Sequence, residues 1–196
     1  TRLPLVLAST SPYRKALLEQ LQLDFVCARP EVEEAEIPGE NLPDMVQRLA
    51  ERKARAVAAD YPQALIIGSD QSAELDGQIL RKPGNRERAA AQLRRSSGRD
   101  IVFHTGICLL NSATGTSHTA CVPFKVRFRE LSDSMIEHYL DREQPYNCAG
   151  SFKSEGLGVA LFAGMEGDDP NTLIGLPLIK LNEFLRLEGY EILDRV

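Results

Sequence analysis

Three cations far apart in the chain, Arg14, Lys53 and Lys82, have settings that could aim them at one anion. Arg14 lies three, four and seven residues before Leu17, Leu18 and Leu21, on or beside a helical apolar stripe and at its N-terminal end. Ser9 and Ser11 come just before it. A strand end, a hydroxyl loop and a helix N-terminus together offer free N–H groups and a positive dipole end. The same serines would serve as ordinary helix caps, and the glycine spacing of a phosphate-binding loop is absent. Lys53 falls four residues after Leu49 and seven after Val46, in line with the buried face of its helix. Its ammonium therefore either reaches back to solvent or points into a cleft.

Asp70 follows an apolar run and is expected at the C-terminal end of a strand, the edge where open α/β sheets bind ligands. A strand-end aspartate is also a common turn former. Lys82 precedes Pro83, which holds it in extended geometry. Glu31, Glu33, Glu34 and Glu36 are either a solvated face or the source of one carboxylate that shares a divalent ion with Asp70, since hard cations want clustered oxygens. Taken together, these residue types suit a polyphosphate bound with a metal. A nucleotide or phosphoester site follows from them, and the reaction stays open.

The elements that must position these groups read as alternating strands and helices. Leu3–Ala8 is a strand, Pro12 opens a helix of about ten residues, and Asp24–Ala28 is a second strand. Pro43 opens a helix to about Ala59. Ala64–Ser69 is a buried-type strand ending at Asp70. Asp76-Gly77 is a hairpin signal between Ala73–Leu75 and Gln78–Leu80. Asn85 caps a helix that runs to Ser97 and stops at Gly98. Strands over Ile101–Leu110 and Ser117–Arg129 follow, then a helix from Ser132. Pro145–Gly158 reads as loop, and Pro177–Leu187 as a final amphipathic helix. The class is α/β with a mixed β-sheet and helices on its faces, in a single domain over residues 1–196.

Composition narrows the function classes. The 196 residues are 43% hydrophobic and 26% charged, which is ordinary globular usage and excludes disorder or coiled coil as whole-chain readings. The formal net charge of −5, without a long Lys/Arg run, argues against nucleic acid as a partner, yet a few focused cations can still bind a small anion. No apolar stretch approaches the roughly 18–20 residues of a membrane span, so no membrane partner is expected. The apolar part of the N-terminus is too short for a secretory signal. Cys27, Cys108, Cys121 and Cys148 show no C-x-x-C spacing and read as reduced thiols in a cytoplasmic protein. His104, His118 and His138 are well separated, which argues against zinc.

The segments that carry these groups also resemble a known family. Leu-Ala-Ser9-Thr10-Ser11-Pro12-Tyr13-Arg14, Arg48-Leu-Ala-Glu-Arg-Lys53-Ala, Gly68-Ser69-Asp70-Gln71, Lys82-Pro83, Ala149-Gly150-Ser151-Phe152-Lys153-Ser154-Glu155-Gly156 and Gly175-Leu-Pro177-Leu are similar to the motifs of the Maf nucleotide pyrophosphatases, in the same order and over almost the whole chain. The resemblance implies an elongated Maf/ITPase-like fold with a central nucleotide cleft. It also implies metal-dependent hydrolysis of a nucleoside triphosphate to monophosphate and pyrophosphate, and a homodimer. By motif match Asp70 is the proton acceptor that activates water. Mg²⁺ or Mn²⁺ is the implied cofactor, with Glu34 joining Asp70 as its ligand and Glu33 as the second candidate. Arg14, Lys53 and Lys82 would clamp phosphates, and Ser9 would orient one of them.

Within the family the chain looks most like the 7-methyl-GTP branch. Tyr13 stands where the pyrimidine-nucleotide branch has a second arginine. Ser69-Asp70-Gln71 replaces Ala-Asp-Thr, and Phe152-Lys153-Ser154-Glu155-Gly156 replaces Tyr-Gly-Ile-Gln-Gly. N7-methylguanine is cationic, so an aromatic ring at Tyr13 can stack on it. Glu155 can accept from the purine N1–H and amine, and Gln71 can add a donor or acceptor. Plain readings stand beside these, with Tyr13 packed on its helix and Glu155 paired with Lys153. The alternatives are a dTTP or UTP pyrophosphatase of the same family and a non-catalytic nucleotide-binding regulator of septum formation.

Overall fold

The computed structural model of the chain describes residues 2–194. In chain order its elements are β1 (Leu5–Leu7), α1 (Pro12–Glu19), β2 (Phe25–Cys27), α2 (Leu42–Ala56), β3 (Leu65–Leu75), β4 (Gln78–Leu80), α3 (Arg86–Ser96), β5 (Asp100–Asn111), β6 (Ser117–Phe128), α4 (Asp133–Glu143), β7 (Phe162–Glu166), α5 (Asn171–Ile174) and α6 (Leu178–Leu187). The strands follow the order β2-β1-β3-β5-β6-β7, with β4 paired to β3. Parallel pairing of β1 with β2 and β3, and antiparallel pairing of β3 with β4 and β6 with β7, make the sheet mixed. The chain is therefore the α/β fold with a mixed sheet that its alternating elements predict.

Two compact units share the chain. The first holds the described residues up to Gln71, with 104–122 and those from Asp169 onward; the second holds 72–103 and 123–168. In the first unit, strand alternation sorts side chains onto two faces. Leu5, Leu7, Leu65 and Ile67 join Leu17, Leu18, Leu181 and Phe184 in one core, whereas Val6, Ala8, Ala64 and Ile66 join Ala50, Ala54 and Val57 in another. Helix α2 lies very close to the sheet because glycines face it. A Cβ on Gly68 would run into the Ala50 carbonyl oxygen, and one on Gly106 into that of Val46.

In the second unit Asp76 and Gly77 both take positive φ, 50° and 79°, and turn β3 into β4. Its core is aromatic: Phe152 meets Phe103, Phe128 and Phe162 edge-on, with ring centroids 5.6, 5.3 and 5.2 Å away. Helix starts follow their sequence signals, since the side chains of Ser11, Asn85 and Ser132 accept from the N–H groups of Arg14, Arg88 and Met135.

Three expectations need correction. The strand expected to end at Ser69 continues through Asp70 to Leu75, so Asp70 sits inside an 11-residue strand rather than at its end. Polar side chains usually stop a buried strand, but those of Ser69, Asp70 and Gln71 all find partners inside the protein, so the strand can continue. The stretch expected as loop over Pro145–Gly158 contains a short helical turn, Ala149–Ser151, and leads through a second, Leu157–Leu161, into β7. Neither β7 nor α5 is foreseen, because β7 has a glycine at its centre and no unbroken apolar run, and the four residues of α5 are too few to show a helical period.

Candidate active site

Strand β3 brings Ser69, Asp70 and Gln71 into the first unit in succession, and each is held by a different neighbour. Ser69 Oγ donates to the Gly175 carbonyl oxygen at 2.9 Å, and Arg14 Nε donates to the same oxygen at 2.9 Å. The Gly175 carbonyl thus ties the first turn of α1 to β3. Gly175 has φ +133°, which favours glycine at this turn between α5 and α6. Asp169, 2% exposed, braces that turn by accepting from the N–H groups of Asn171 and Ile179, each at 2.9 Å. Gln71 Nε2 donates to Thr105 Oγ1 and to the carbonyls of Thr172 and Leu173, at 3.1, 3.0 and 3.2 Å. Thr105 spends its own proton on the Thr172 carbonyl, so the amide of Gln71 is the donor in that contact.

Asp70 is buried, and Lys53 reaches it from α2. Lys53 Nζ stands 2.8 Å from Asp70 Oδ1 and 2.8 Å from Glu34 Oε1. Of the two paths open to Lys53, the inward one is taken, because the glycine-notched sheet lets α2 approach closely enough. One ammonium therefore serves two carboxylates, and the Lys53 and Asp70 side chains are each 10% exposed while Glu34 is 57% exposed. Burial lowers the Arg14 pKa below the ordinary arginine value, while the charges of Asp70 and Glu34 oppose the shift. Arg14 therefore senses both carboxylates. The buried Ser9 hydroxyl oxygen accepts from the Ser11 N–H at 3.1 Å, and Tyr13 is exposed on α1.

The structure thus gathers Arg14, Glu34, Lys53, Asp70 and Gln71 around β3, with Ser9 and Tyr13 at the start of α1. Lys82 and Glu155 belong to the second unit. Both are exposed, Lys82 beside buried Pro83, and Glu155 Oε2 accepts from Ser154 Oγ at 3.3 Å. Sequence reasoning gave no role to Ser69, Thr105, Asp169, Thr172 or Gly175. Ser69 and Gly175 lie within the quoted motifs, but a carbonyl acceptor leaves no mark in residue type.

A divalent ion fits these residues in one way. Among the described residues no group of three or more His, Cys, Asp or Glu could hold a metal. Glu34 and Asp70 do share one cationic partner, so their oxygens converge on a single point. Mg²⁺ and Mn²⁺ are commonly held by one or two carboxylates, with phosphate oxygens and water completing the shell. The donor set therefore suits an ion that arrives with a nucleotide. Among the described residues no helix is long and apolar enough to cross a membrane.

A family model described as Maf-like protein matches residues 4–188. The 7-methyl-GTP pyrophosphatase of Nitrosococcus oceani is 54% identical over 189 residues, spanning 96% of this chain and 95% of its own. That of Pseudomonas syringae pv. tomato is 55% identical over 188 residues, spanning 96% and 98%. Among solved structures, the Staphylococcus aureus Ham1 protein superposes with a TM-score of 0.54 at 14% identity, covering 94% of this chain and 99% of that one, and so shares the fold.

Proposed function

We propose, for a chain that belongs to the Maf family, that it hydrolyses 7-methyl-GTP to the nucleoside monophosphate and pyrophosphate, with a divalent metal as cofactor. The observation that carries the reaction class is the pair of carboxylates, Glu34 and Asp70, converging on the Lys53 ammonium. Relatives named 7-methyl-GTP pyrophosphatase at 54–55% identity favour that nucleotide.

In this reading Asp70 accepts the proton of the attacking water, a role suited to a buried carboxylate fixed within a long strand. Lys53 turns from the carboxylates to the phosphates as the nucleotide arrives, which frees an Asp70 oxygen. Arg14, anchored on the Gly175 carbonyl, presents its remaining N–H groups to the same phosphates. Ser9 orients one phosphate through its hydroxyl. Mg²⁺ or Mn²⁺ at Glu34 and Asp70 would polarise a phosphoryl oxygen and offset developing charge. Exposed Tyr13 stacks on the cationic base. Gln71 has its amide N–H groups engaged, so its carbonyl oxygen is the group left for the base. Lys82 as a phosphate clamp and Glu155 on the purine edge take their roles from the motif match. That residues 1–196 act as one catalytic domain is supported by β3, β5 and β6, each of which has residues in both units. A cytoplasmic homodimer follows from the family resemblance.

The test is pyrophosphate release from 7-methyl-GTP, GTP, UTP and dTTP with Mg²⁺ or Mn²⁺, with Asp70→Asn alongside. Metal-dependent cleavage that prefers 7-methyl-GTP and is lost in the variant is expected. Preference for UTP or dTTP would keep the reaction and remove the nucleotide assignment. Binding without any turnover would instead indicate a non-catalytic regulator.

A further inference from the structure

We propose that Arg48 is a positioning residue for Glu34: by gripping Glu40 and the Ala35 carbonyl it holds the acidic segment between β2 and α2, so that Glu34 stays beside Asp70. The inference rests on the reading that Glu34 and Asp70 take a nucleotide-borne metal ion.

Residues 28–41 form neither helix nor strand, yet this segment must deliver a carboxylate to one point. It carries Glu31, Glu33, Glu34, Glu36 and Glu40, whose charges repel one another. Ordering such a segment opposes both that repulsion and its chain entropy. Arg48, on α2, supplies the opposing grip. Its Nε donates to Glu40 Oε1 and Oε2 at 3.1 and 2.9 Å, and its Nη2 to Glu40 Oε1 and the Ala35 carbonyl at 2.8 and 3.0 Å. A planar guanidinium can make this forked contact and a lysine cannot.

The two glutamates have different situations. Glu40 is 14% exposed and engaged by Arg48, whereas Glu34 is 57% exposed with its carboxylate at Lys53. Glu40 is the anchor and Glu34 the working group. Ala35 directly follows Glu34, so the bond to its carbonyl fixes the peptide next to the metal ligand. The Arg48 hydrogen bonds hold Glu40 below the usual carboxylate range, and the charge of Asp70 reaches Arg48 as well. The grip becomes more important during reaction. Once Lys53 turns to the phosphates it no longer holds Glu34, while Arg48, bound to Glu40 and Ala35, keeps its hold.

The test compares Arg48→Met, Arg48→Lys and Glu40→Gln with the full wild-type chain by two readouts. The first is amide hydrogen exchange of residues 31–40 without metal or nucleotide. The second is the Mn²⁺ concentration for half-maximal 7-methyl-GTP turnover, set against kcat at saturating Mn²⁺. In Arg48→Met, exchange in 31–40 should quicken about tenfold while the rest of the chain keeps its protection. The Mn²⁺ requirement should rise about 10- to 100-fold, as for other groups that orient a metal ligand, with kcat at saturation changed far less. Arg48→Lys should recover part of the loss. Unchanged exchange in 31–40 would overturn the proposal, and so would a fall in kcat at an unchanged Mn²⁺ requirement, which would place Arg48 on the nucleotide itself. Should Arg48→Met not fold, Glu40→Gln decides by the same readouts: a smaller shift in the same direction supports the grip, and no shift overturns it. If the wild type turns over no nucleotide, the reading of the reaction fails, and hydrogen exchange still decides whether Arg48 holds the segment.

Discussion

The two units manage polarity in opposite ways. In the first, the buried side chains include Lys53, Asp70 and Asp169, together with Ser9, Ser69, Thr105 and Thr172. In the second, the buried polar side chains are Ser96 and Ser151, and the core is closed by four phenylalanine rings. Its ion pairs stay outside: Arg86 with Glu137 and Asp141, Arg94 with Asp133, and Arg99 with Asp76. Exposed pairs of that kind are worth little, whereas a buried charge is costly unless paired. The first unit accepts that cost at Lys53 and Asp70 beside β3, and at Asp169, which braces the turn before α6. The contrast sets a unit with a charged interior against one in which apolar packing dominates.

The sharpest way to break the contrast is one substitution in each unit. Asp70→Asn is expected to lower turnover about 10²- to 10⁴-fold, the usual contribution of a positioned base. Pyrophosphate release gives the rate, and urea unfolding of the same variant checks that the fold survives. Phe152→Ala should do the reverse, costing about 3–5 kcal/mol of stability by opening a cavity among the rings. A loss below about 1 kcal/mol in that unfolding experiment would mean that the aromatic cluster is not what holds the second unit.

Gly68→Ala comes next. Its methyl group would meet the Ala50 carbonyl, so α2 must shift. The expected cost is about 1–3 kcal/mol in chemical unfolding. Because Lys53 rides on α2, KM for the nucleotide should rise as well. Stability loss with an unchanged KM would separate the helix approach from the site.

The smallest expected effect lies on the surface of the first unit. Glu51 accepts from Ser117 Oγ at 2.8 Å and from Arg55 Nη2 at 2.9 Å, and these bonds hold its pKa below the ordinary carboxylate value. A folded-state pKa below the unfolded value of about 4.3 adds stability in full above that pH, and the gain is lost as pH falls through the lower, folded value. Ser117→Ala should therefore be less stable than the wild type at about pH 7, with the gap closing as the pH falls below the ordinary carboxylate value. A gap independent of pH would show that the hydroxyl acts by packing instead.

Much of the fold is legible in residue order because its signals are local. Ser11, Asn85 and Ser132 cap helices through contacts within three residues, and Asp76-Gly77 makes its turn alone. The apolar run of β1 and the apolar spacing in α2 follow from element geometry. Arg14, Lys53 and Asp70 could be singled out because each interrupts or ends such a pattern. What residue order left open is where those charges point. Lys53 has the same spacing whether its ammonium meets water or Asp70, and the inward path depends on Gly68 and Gly106 letting α2 close on the sheet. Asp70 looks like a strand end until Lys53, Gly175 and Thr105 supply the partners that let β3 run on. Residue order does not pair Arg48 with Glu40; only the folded chain brings them into the fork. Local order set the elements and the inventory of charged groups. Tertiary structure decided which of those groups meet, because a buried charge takes its direction from partners that only folding brings near.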